Sequence, residues 1–274
     1  METETVRELL SRAHSLYDDG EWNASLEILE NQEIIKRASF KEIREAAVLA
    51  GFNYWKKGEK EKAFLLWINV TGRVFEGWTR IEVASAHAGL GMYYAERDEK
   101  GMALEHARLA QDLLPEDATL NHVMHLNSCG ITMAKIGELE RAEEILKKVA
   151  KINEQLEKSD DPVIARKAKH QRAKNGYNLV SLILILQRRW DEAFSELELE
   201  VIPRYQNVGA ETDEAAAWHR MSEIAESTGD LYVAYAHEKK SLYLWERHQK
   251  NAPGRVKMAL ENIREIEAKM REQE

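Results

Sequence analysis

A tight turn with small residues at fixed distances on either side recurs six times along the chain, and no other feature constrains the fold as strongly. The six turns are centred on Gly20, Gly58, Asp98, Gly137, Arg188 and Gly229. Glycine at such a turn supplies the left-handed conformation that ends a helix. The acidic residue that usually follows suits the start of the next helix, where the helix dipole favours negative charge. The pattern therefore predicts pairs of helices joined by tight turns.

The small residues indicate how the two helices of each pair pack. They lie seven residues before and five residues after each turn: Ala13, Gly51, Gly91, Gly130, Ser181 and Ser222, then Ser25, Ala63, Ala103, Ala142, Ala193 and Ala234. Every one is Ala, Gly or Ser, although these types make up only about a fifth of an average sequence. Because only small side chains let two helix backbones approach closely, each pair is expected to cross at these positions.

The third repeat resembles the tetratricopeptide repeat (TPR) family most closely. It reads His87-Ala-Gly-Leu90-Gly91-Met-Tyr-Tyr94, followed by Ala103, Ala110 and Pro115. This resemblance implies an all-α fold: a right-handed superhelical solenoid of about six TPR-like helix pairs plus a C-terminal capping helix. Successive turns are 38 to 41 residues apart, with one interval of 51 residues, whereas a common TPR spans about 34. The long spacing resembles the TPR domains of bacterial peptide-pheromone receptors and regulators.

The repeats predict one solenoid over residues 1–274. Their approximate bounds are 3–32, 41–72, 80–115, 118–157, 162–205 and 211–250, with a capping helix at 253–272. The longest interval contains Glu157-Lys-Ser-Asp-Asp-Pro162, which indicates a surface loop or, alternatively, a hinge. Pro162 suits the first turn of a helix, with Asp160 or Asp161 as its cap, and that helix is expected to run to about Gln187.

Composition and motifs exclude several classes of function. Lys and Arg number 39 against 48 Asp and Glu, for a net charge of −9, which argues against binding to nucleic acid or an anionic membrane. A lone Cys129 excludes a cysteine-based zinc site, and no phosphate-binding loop or nucleophile motif is found. His122 and His125, with His87 and His106 nearby, come closest to a metal site but are interpreted as packing or polar residues. We therefore expect a cytoplasmic, non-enzymatic protein without a cofactor or metal, since the N-terminus also lacks the features of a signal peptide.

In TPR arrays the first helix of each pair lines a concave groove, at positions about thirteen, ten, six and three residues before the turn. The helical period places these positions on one stripe. In repeat five the stripe comprises Asn175, Asn178, Leu182 and Ile185. The predicted groove-lining residues over all repeats are Phe52, Trp55, Met92, Asn127, Ile131, Asn178, Leu182, Ile185 and His219. Asn127 and Asn178 occupy equivalent places and could hydrogen-bond a peptide backbone; alternatively they face solvent or bond within their helix. The apolar members could also pack on one another or on the C-terminal helix if the superhelix is tight.

The sequence thus predicts a scaffold that holds a peptide or a segment of a partner protein. The alternative is a sensor whose superhelix changes shape on binding and thereby controls a partner. The expected assembly state is a monomer or homodimer, without nucleic acid or membrane.

Overall fold

A computed structural model describes residues 4–72, 80–114, 119–248 and 253–273, and these residues form helices and connections without a strand. Pro115 of the TPR motif lies outside them. The helices are α1 Val6–Asp18, α2 Trp22–Leu29, α3 Gln32–Arg37, α4 Phe40–Lys56, α5 Lys60–Gly72, α6 Arg80–Glu96, α7 Lys100–Leu113, α8 Leu120–Lys135, α9 Leu139–Leu156, α10 Pro162–Leu179, α11 Trp190–Ser195, α12 Ile202–Val208, α13 Glu211–Thr228, α14 Leu231–Arg247 and α15 Pro253–Gln273. Two π-helical segments, Val180–Leu184 and Glu196–Val201, extend α10 and join α11 to α12. The predicted all-α fold is confirmed.

The helices form two compact units. Unit 1 comprises Met1–Asp117 and Met124–Glu138, and unit 2 comprises Ala118–Val123 and Leu139–Glu274. The predicted single solenoid remains a prediction. The stretch at 157–162 is not a boundary between the units, because α9 and α10 pack together inside unit 2. Asp161 caps α10, since its side chain accepts hydrogen bonds from the backbone N–H groups of Val163 and Ile164 at 2.8 and 3.3 Å.

All six predicted turns have left-handed backbone conformations. The φ angles are 81° at Gly20, 81° at Gly58, 59° at Asp98, 90° at Gly137, 57° at Arg188 and 89° at Gly229. In each turn the N–H of the next residue donates to the carbonyl five residues before it, at 2.8–2.9 Å. That hydrogen bond satisfies a carbonyl at the end of the preceding helix, as in a Schellman motif. A further turn of this kind, at Gly209 with φ 73°, was not predicted.

The small residues mark the helix crossings, and two of the serines add a hydrogen bond there. The hydroxyl of Ser25 donates to the carbonyl of Ala13 at 2.9 Å. In the last repeat Ser222 donates to Ala234 at 2.8 Å. Both hydroxyls therefore satisfy a carbonyl on the partner helix, so the predicted crossings are confirmed at these pairs.

Ser181 does not follow the predicted crossing pattern. Its Oγ atom is buried and has no hydrogen-bond partner among the described residues, while Val180 beside it is fully buried. The π-helical segment Val180–Leu184 explains the difference, because it adds residues per turn and shifts the positions that precede it. Val180 therefore occupies the core position that was predicted for Ser181.

Helix α15 covers the end of unit 2 as predicted. Val256, Ala259 and Ile263 are buried against a cluster that includes Leu242 and Trp245 of α14. Their spacing of three and four residues places them on one face of the helix. The last helix pair therefore does not expose its apolar side.

Candidate functional site

The predicted groove residues all lie on first helices of pairs, and they fall into two sets. Unit 1 holds Phe52 and Trp55 on α4, Met92 on α6, and Asn127 and Ile131 on α8. Unit 2 holds Asn178 on α10, Leu182 and Ile185 in and just beyond the π-helical segment, and His219 on α13. Each set is described within its own unit.

In unit 1 the predicted residues form an aromatic cluster around Trp67 of α5. The ring of Phe52 lies 5.0 Å from that of Trp67 and stacks at 6.4 Å on the ring of His125, between centroids. The Trp55 ring lies 5.9 Å from Trp67. His125 in turn is hydrogen-bonded through Nε2 to the hydroxyl of Ser85. These contacts connect helices α4, α5, α6 and α8 of the same unit.

Much of this face of unit 1 is closed by its own side chains. Met92 is buried, as are Val48 and Ala88 at other positions of the predicted stripe. Phe52 and Ile131 keep partial exposure. These buried residues therefore agree with the alternative that the apolar side chains pack within the protein. A role for the partly exposed side chains in binding stays a prediction.

The aromatic cluster is held in place by two glycines. Trp67 is fully buried, and its Nε1 donates to the carbonyl of Val48 at 3.4 Å. A Cβ atom at Gly51 of α4 would lie 2.3 Å from Nε1 of the indole, and one at Gly89 of α6 would lie 2.5 Å from its Cδ2. Only glycine leaves room for the indole at both positions, since ordinary carbon contacts are about 3.5–4.0 Å.

In unit 2 His219 is engaged in a buried ionic network. Its Nδ1 lies 2.9 Å from a carboxylate oxygen of Glu238, and its Nε2 lies 3.4 Å from Glu223. Glu238 of α14 is fully buried and also accepts a hydrogen bond from Asn262 of α15 at 3.3 Å. The network thus joins α13, α14 and α15. Since both ring nitrogens of His219 face carboxylates of its own chain, its predicted part in partner binding remains a prediction.

The carboxylates favour the charged form of His219. Burial lowers its pKa, but hydrogen bonds with Glu223 and Glu238 and the negative charge of both outweigh burial and raise the pKa from 6.5 to about 9. An imidazolium is therefore the ordinary state of His219 at neutral pH. It compensates the carboxylate of Glu238, which would otherwise be an isolated buried charge.

Helix α10 of unit 2 packs with one side against other helices, and its other side faces solvent. Ala168 and Asn175 are buried, and the amide of Asn175 donates to the carbonyl of Leu146 of α9 at 2.8 Å. Gly176 faces the second π-helical segment, since a Cβ there would lie 2.7 Å from Glu196. The prediction that Asn175 lines the groove is therefore wrong. The prediction assumed an α-helical period between Asn175 and Arg188. The π-helical segment between them has more residues per turn, so residues before it lie on a different side of the helix than predicted.

The solvent-facing side of α10 follows a regular helical spacing. We define the α10 face as Lys167, Gln171, Lys174, Asn178 and Leu182, which are three or four residues apart and so share one side of the helix. Lys167 is exposed, and the other four are partly buried. Ile185 lies about one turn further along and is also partly exposed. The α10 face therefore combines cationic, amide and apolar groups.

The predicted groove residues did not include Lys167 and Lys174, the two lysines of the α10 face. Helix α10 contains five Lys and Arg residues and no Asp or Glu within a chain of net charge −9. That local excess of positive charge was the signal that could have identified them.

Three of the four histidines considered for a metal site have described side-chain partners, and His125 bonds to Ser85. The Nδ1 atoms of His87 and His106 lie 2.8 Å apart, and burial lowers the pKa of both rings, that of His87 to about 4. Within the described ranges, no group of three or more His, Cys, Asp or Glu side chains is arranged to hold a metal ion. Burial raises the pKa of the Cys129 thiol to about 12, which leaves this thiol protonated and unreactive. None of the described helices is sufficiently long and apolar to span a membrane.

Solved structures with TPR-like folds are similar to this chain over most of its length. The apo form of RapI matches with a TM-score of 0.70 at 13% sequence identity, covering 97% of this chain and 72% of that chain. A Rap protein complexed with Competence and Sporulation Factor matches with a TM-score of 0.62 at 14% identity, covering 98% and 72%. The apo form of the quorum sensor NprR from B. thuringiensis matches with a TM-score of 0.58 at 17% identity, covering 82% and 58%.

No protein-family model and no curated protein sequence matches the chain. At these identities the similarity concerns the fold. It confirms the TPR-like resemblance that the repeats indicated, with Rap proteins and NprR as structures of similar fold.

Proposed function

We propose that this chain is a non-enzymatic scaffold that binds a peptide or an extended segment of a partner protein through the first helices of its repeats. The observation that carries the proposal is the TPR-like fold shared over 97% of the chain with RapI. A related Rap structure holds a bound factor, the Competence and Sporulation Factor.

The α10 face supplies suitable chemistry for such a ligand. The amide of Asn178 can both donate to and accept from a peptide backbone. Leu182 and Ile185 offer partly exposed apolar surface beside it, where an apolar side chain of the ligand could be buried. Within unit 1, Asn127, Ile131, Phe52 and Trp55 would offer amide, apolar and aromatic groups to a peptide.

A matched pair of variants tests this proposal. The probe is a fluorescein-labelled pool of peptides with one central Leu, flanking positions shared among Glu, Gln and Lys, and small residues elsewhere. Leu182→Ala should weaken binding about tenfold, since burying a leucine side chain is worth about 1.5–3 kcal/mol. Leu199→Ala removes an equally large side chain that is 66% exposed on the second helix of the same pair, and it should leave the affinity unchanged.

Fluorescence anisotropy measures both affinities. Equal loss in Leu182→Ala and Leu199→Ala would contradict binding at the first helix. The double variant Asn127→Ala, Asn178→Ala extends the test to both units. Binding of the pool to none of the proteins would contradict the function itself.

The second candidate function is that of a sensor that changes shape on binding and so regulates a partner. It is favoured by the similarity to the quorum sensor NprR. Small-angle scattering with and without the bound pool tests it. A change in radius of gyration supports a sensor, and an unchanged value supports a static scaffold. The expected cytoplasmic location and the monomeric or dimeric state are part of the same proposal.

A further inference from the structure

Several cationic side chains of α10 make contacts within unit 2. Arg166 donates to the carbonyl of Val208 at 3.0 Å, and Lys169 lies 3.4 Å from the amide oxygen of Asn207. These contacts fix α10 to the end of α12 within unit 2.

Arg172 has a similar structural role on another side of the helix. Its guanidinium lies 3.6 Å from Glu157 and 3.4 Å from Glu200, both inside unit 2. Its charge is therefore balanced by the chain itself. Of the five cations, Lys167 and Lys174 alone belong to the α10 face.

Lys174 is a cation of α10 without a counterion among the described residues. Its side chain is partly buried, and it forms no hydrogen bond or ion pair with any residue in the described part of the chain. A carboxylate of a ligand could therefore form a charge-assisted hydrogen bond with its ammonium group. Lys167 lies seven residues earlier, two turns along the same side of the helix, and its side chain is exposed.

Acidic residues of the next first helix, α13, have partners other than Lys174. Asp213 lies 2.7 Å from His170, and Glu223 forms an ion pair with Arg220. The ligand best suited to this face is anionic.

We infer that the α10 face selects a peptide segment that carries an acidic side chain near an apolar one, the carboxylate on Lys174 and the apolar group on Leu182. This inference rests on the proposed function. Lys174 and Leu182 are eight residues apart, which corresponds to about 12 Å of helix. An extended peptide rises about 3.3 Å per residue, so the acidic and apolar residues of the ligand should be about three or four residues apart.

Three matched peptide pools test this selectivity. All carry one central Leu among small residues, and the residues three positions before and after it are both Glu, both Gln or both Lys. Placing the charge on both sides covers either direction of the peptide. Fluorescence anisotropy at low ionic strength should show the Glu pool binding the wild-type protein about three- to tenfold tighter than the Gln pool, and the Lys pool weakest. Added salt should reduce the difference, because it screens the ion pair.

Charge reversal at Lys174 should exchange the order of the pools. In Lys174→Glu the Lys pool should bind at least as well as the Gln pool, and the Glu pool should bind worst. The control is Lys151→Glu on α9, an exposed residue of the same unit without a described partner, which changes the net charge equally. It should keep the wild-type order.

The possible failures are distinguishable. If the three pools bind with equal affinity, or if Lys151→Glu alters the order as much as Lys174→Glu does, the acidic selectivity is wrong while peptide binding stands. If no pool binds, the proposed function itself is contradicted. An oligothymidylate is added as a competitor of the labelled peptides. If it displaces them from the wild-type protein but not from Lys174→Glu, the assignment to a peptide is overturned and phosphate is the ligand of this face.

Discussion

Replacing Gly89 with Ala tests how Trp67 is accommodated between α4 and α6. The added Cβ would lie 2.5 Å from both Cδ2 and Cε2 of the indole and 2.8 Å from Cε3. Ordinary carbon contacts are about 3.5–4.0 Å, so the overlap is about 1 Å at two atoms. The indole is fully buried and also closely approaches Gly51. A small shift of the ring therefore cannot relieve the overlap.

The expected cost follows from two opposing effects. Forcing the indole out of its packed position costs about as much as losing a large aromatic side chain from a core, about 3–5 kcal/mol. Alanine is favoured over glycine inside a helix by about 1 kcal/mol. Gly89→Ala should therefore lower the free energy of unfolding by about 2–4 kcal/mol.

Urea titration followed by far-UV circular dichroism measures this change. Gly101→Ala on α7 is the control, because a Cβ there meets nothing within 4 Å, and it should stabilise by up to about 1 kcal/mol. In a Trp67→Phe background the cost of Gly89→Ala should shrink, since the smaller ring removes the overlap. A Gly89→Ala protein as stable as the wild type, with Trp67 retained, would show that the indole does not need a glycine at this position.

Three further changes test other parts of the structure. Arg188→Gly should stabilise by about 1 kcal/mol, because Arg188 has φ 57° and a left-handed conformation costs about 1–2 kcal/mol outside glycine; urea titration should show no such gain for Arg188→Ala. Ser222→Ala should destabilise by about 1 kcal/mol, since it removes the hydrogen bond to the carbonyl of Ala234, and equal urea midpoints would contradict this. The His219–Glu238 contribution should be complete below pH 6.5 and should be lost as the pH rises through about 9, because folding raises the pKa of His219. Thermal melts between pH 6 and pH 10 should show a steeper decline in the wild type than in His219→Phe.

The turns and crossings were predictable because each depends on a few neighbouring residues. A left-handed turn needs a residue that tolerates positive φ and a donor just after it, so even Asp98 and Arg188 could be assigned by analogy with the glycines. A crossing needs a small side chain at a fixed distance from the turn, as at Ser25 and Ser222. Such local rules are independent of how the repeats stack on one another.

Contacts between non-neighbouring helices were not predictable in the same way. Gly89 stands two residues from the motif glycine Gly91, and nothing in the sequence relates it to Trp67 of α5. His219 has a helical position typical of a groove residue, but Glu238 on α14 determines where its ring nitrogens point. Each of these pairings depends on the packing angle between two helices, which the repeat pattern leaves open.

The orientation of the α10 face depends on such a contact. Gly176 of α10 leaves no room for a Cβ, which would lie 2.7 Å from Glu196 and 2.8 Å from Val201, both in the second π-helical segment. The first π-helical segment follows α10 directly, so the close approach and the change of helical period occur within the same repeat. Together they turn Asn175 toward α9 and leave Lys174 on the solvent-facing side. Asn175, which an α-helical period placed in the groove, is therefore buried. Lys174 beside it belongs to the α10 face instead, because both helices of the longest repeat contain a π-helical segment.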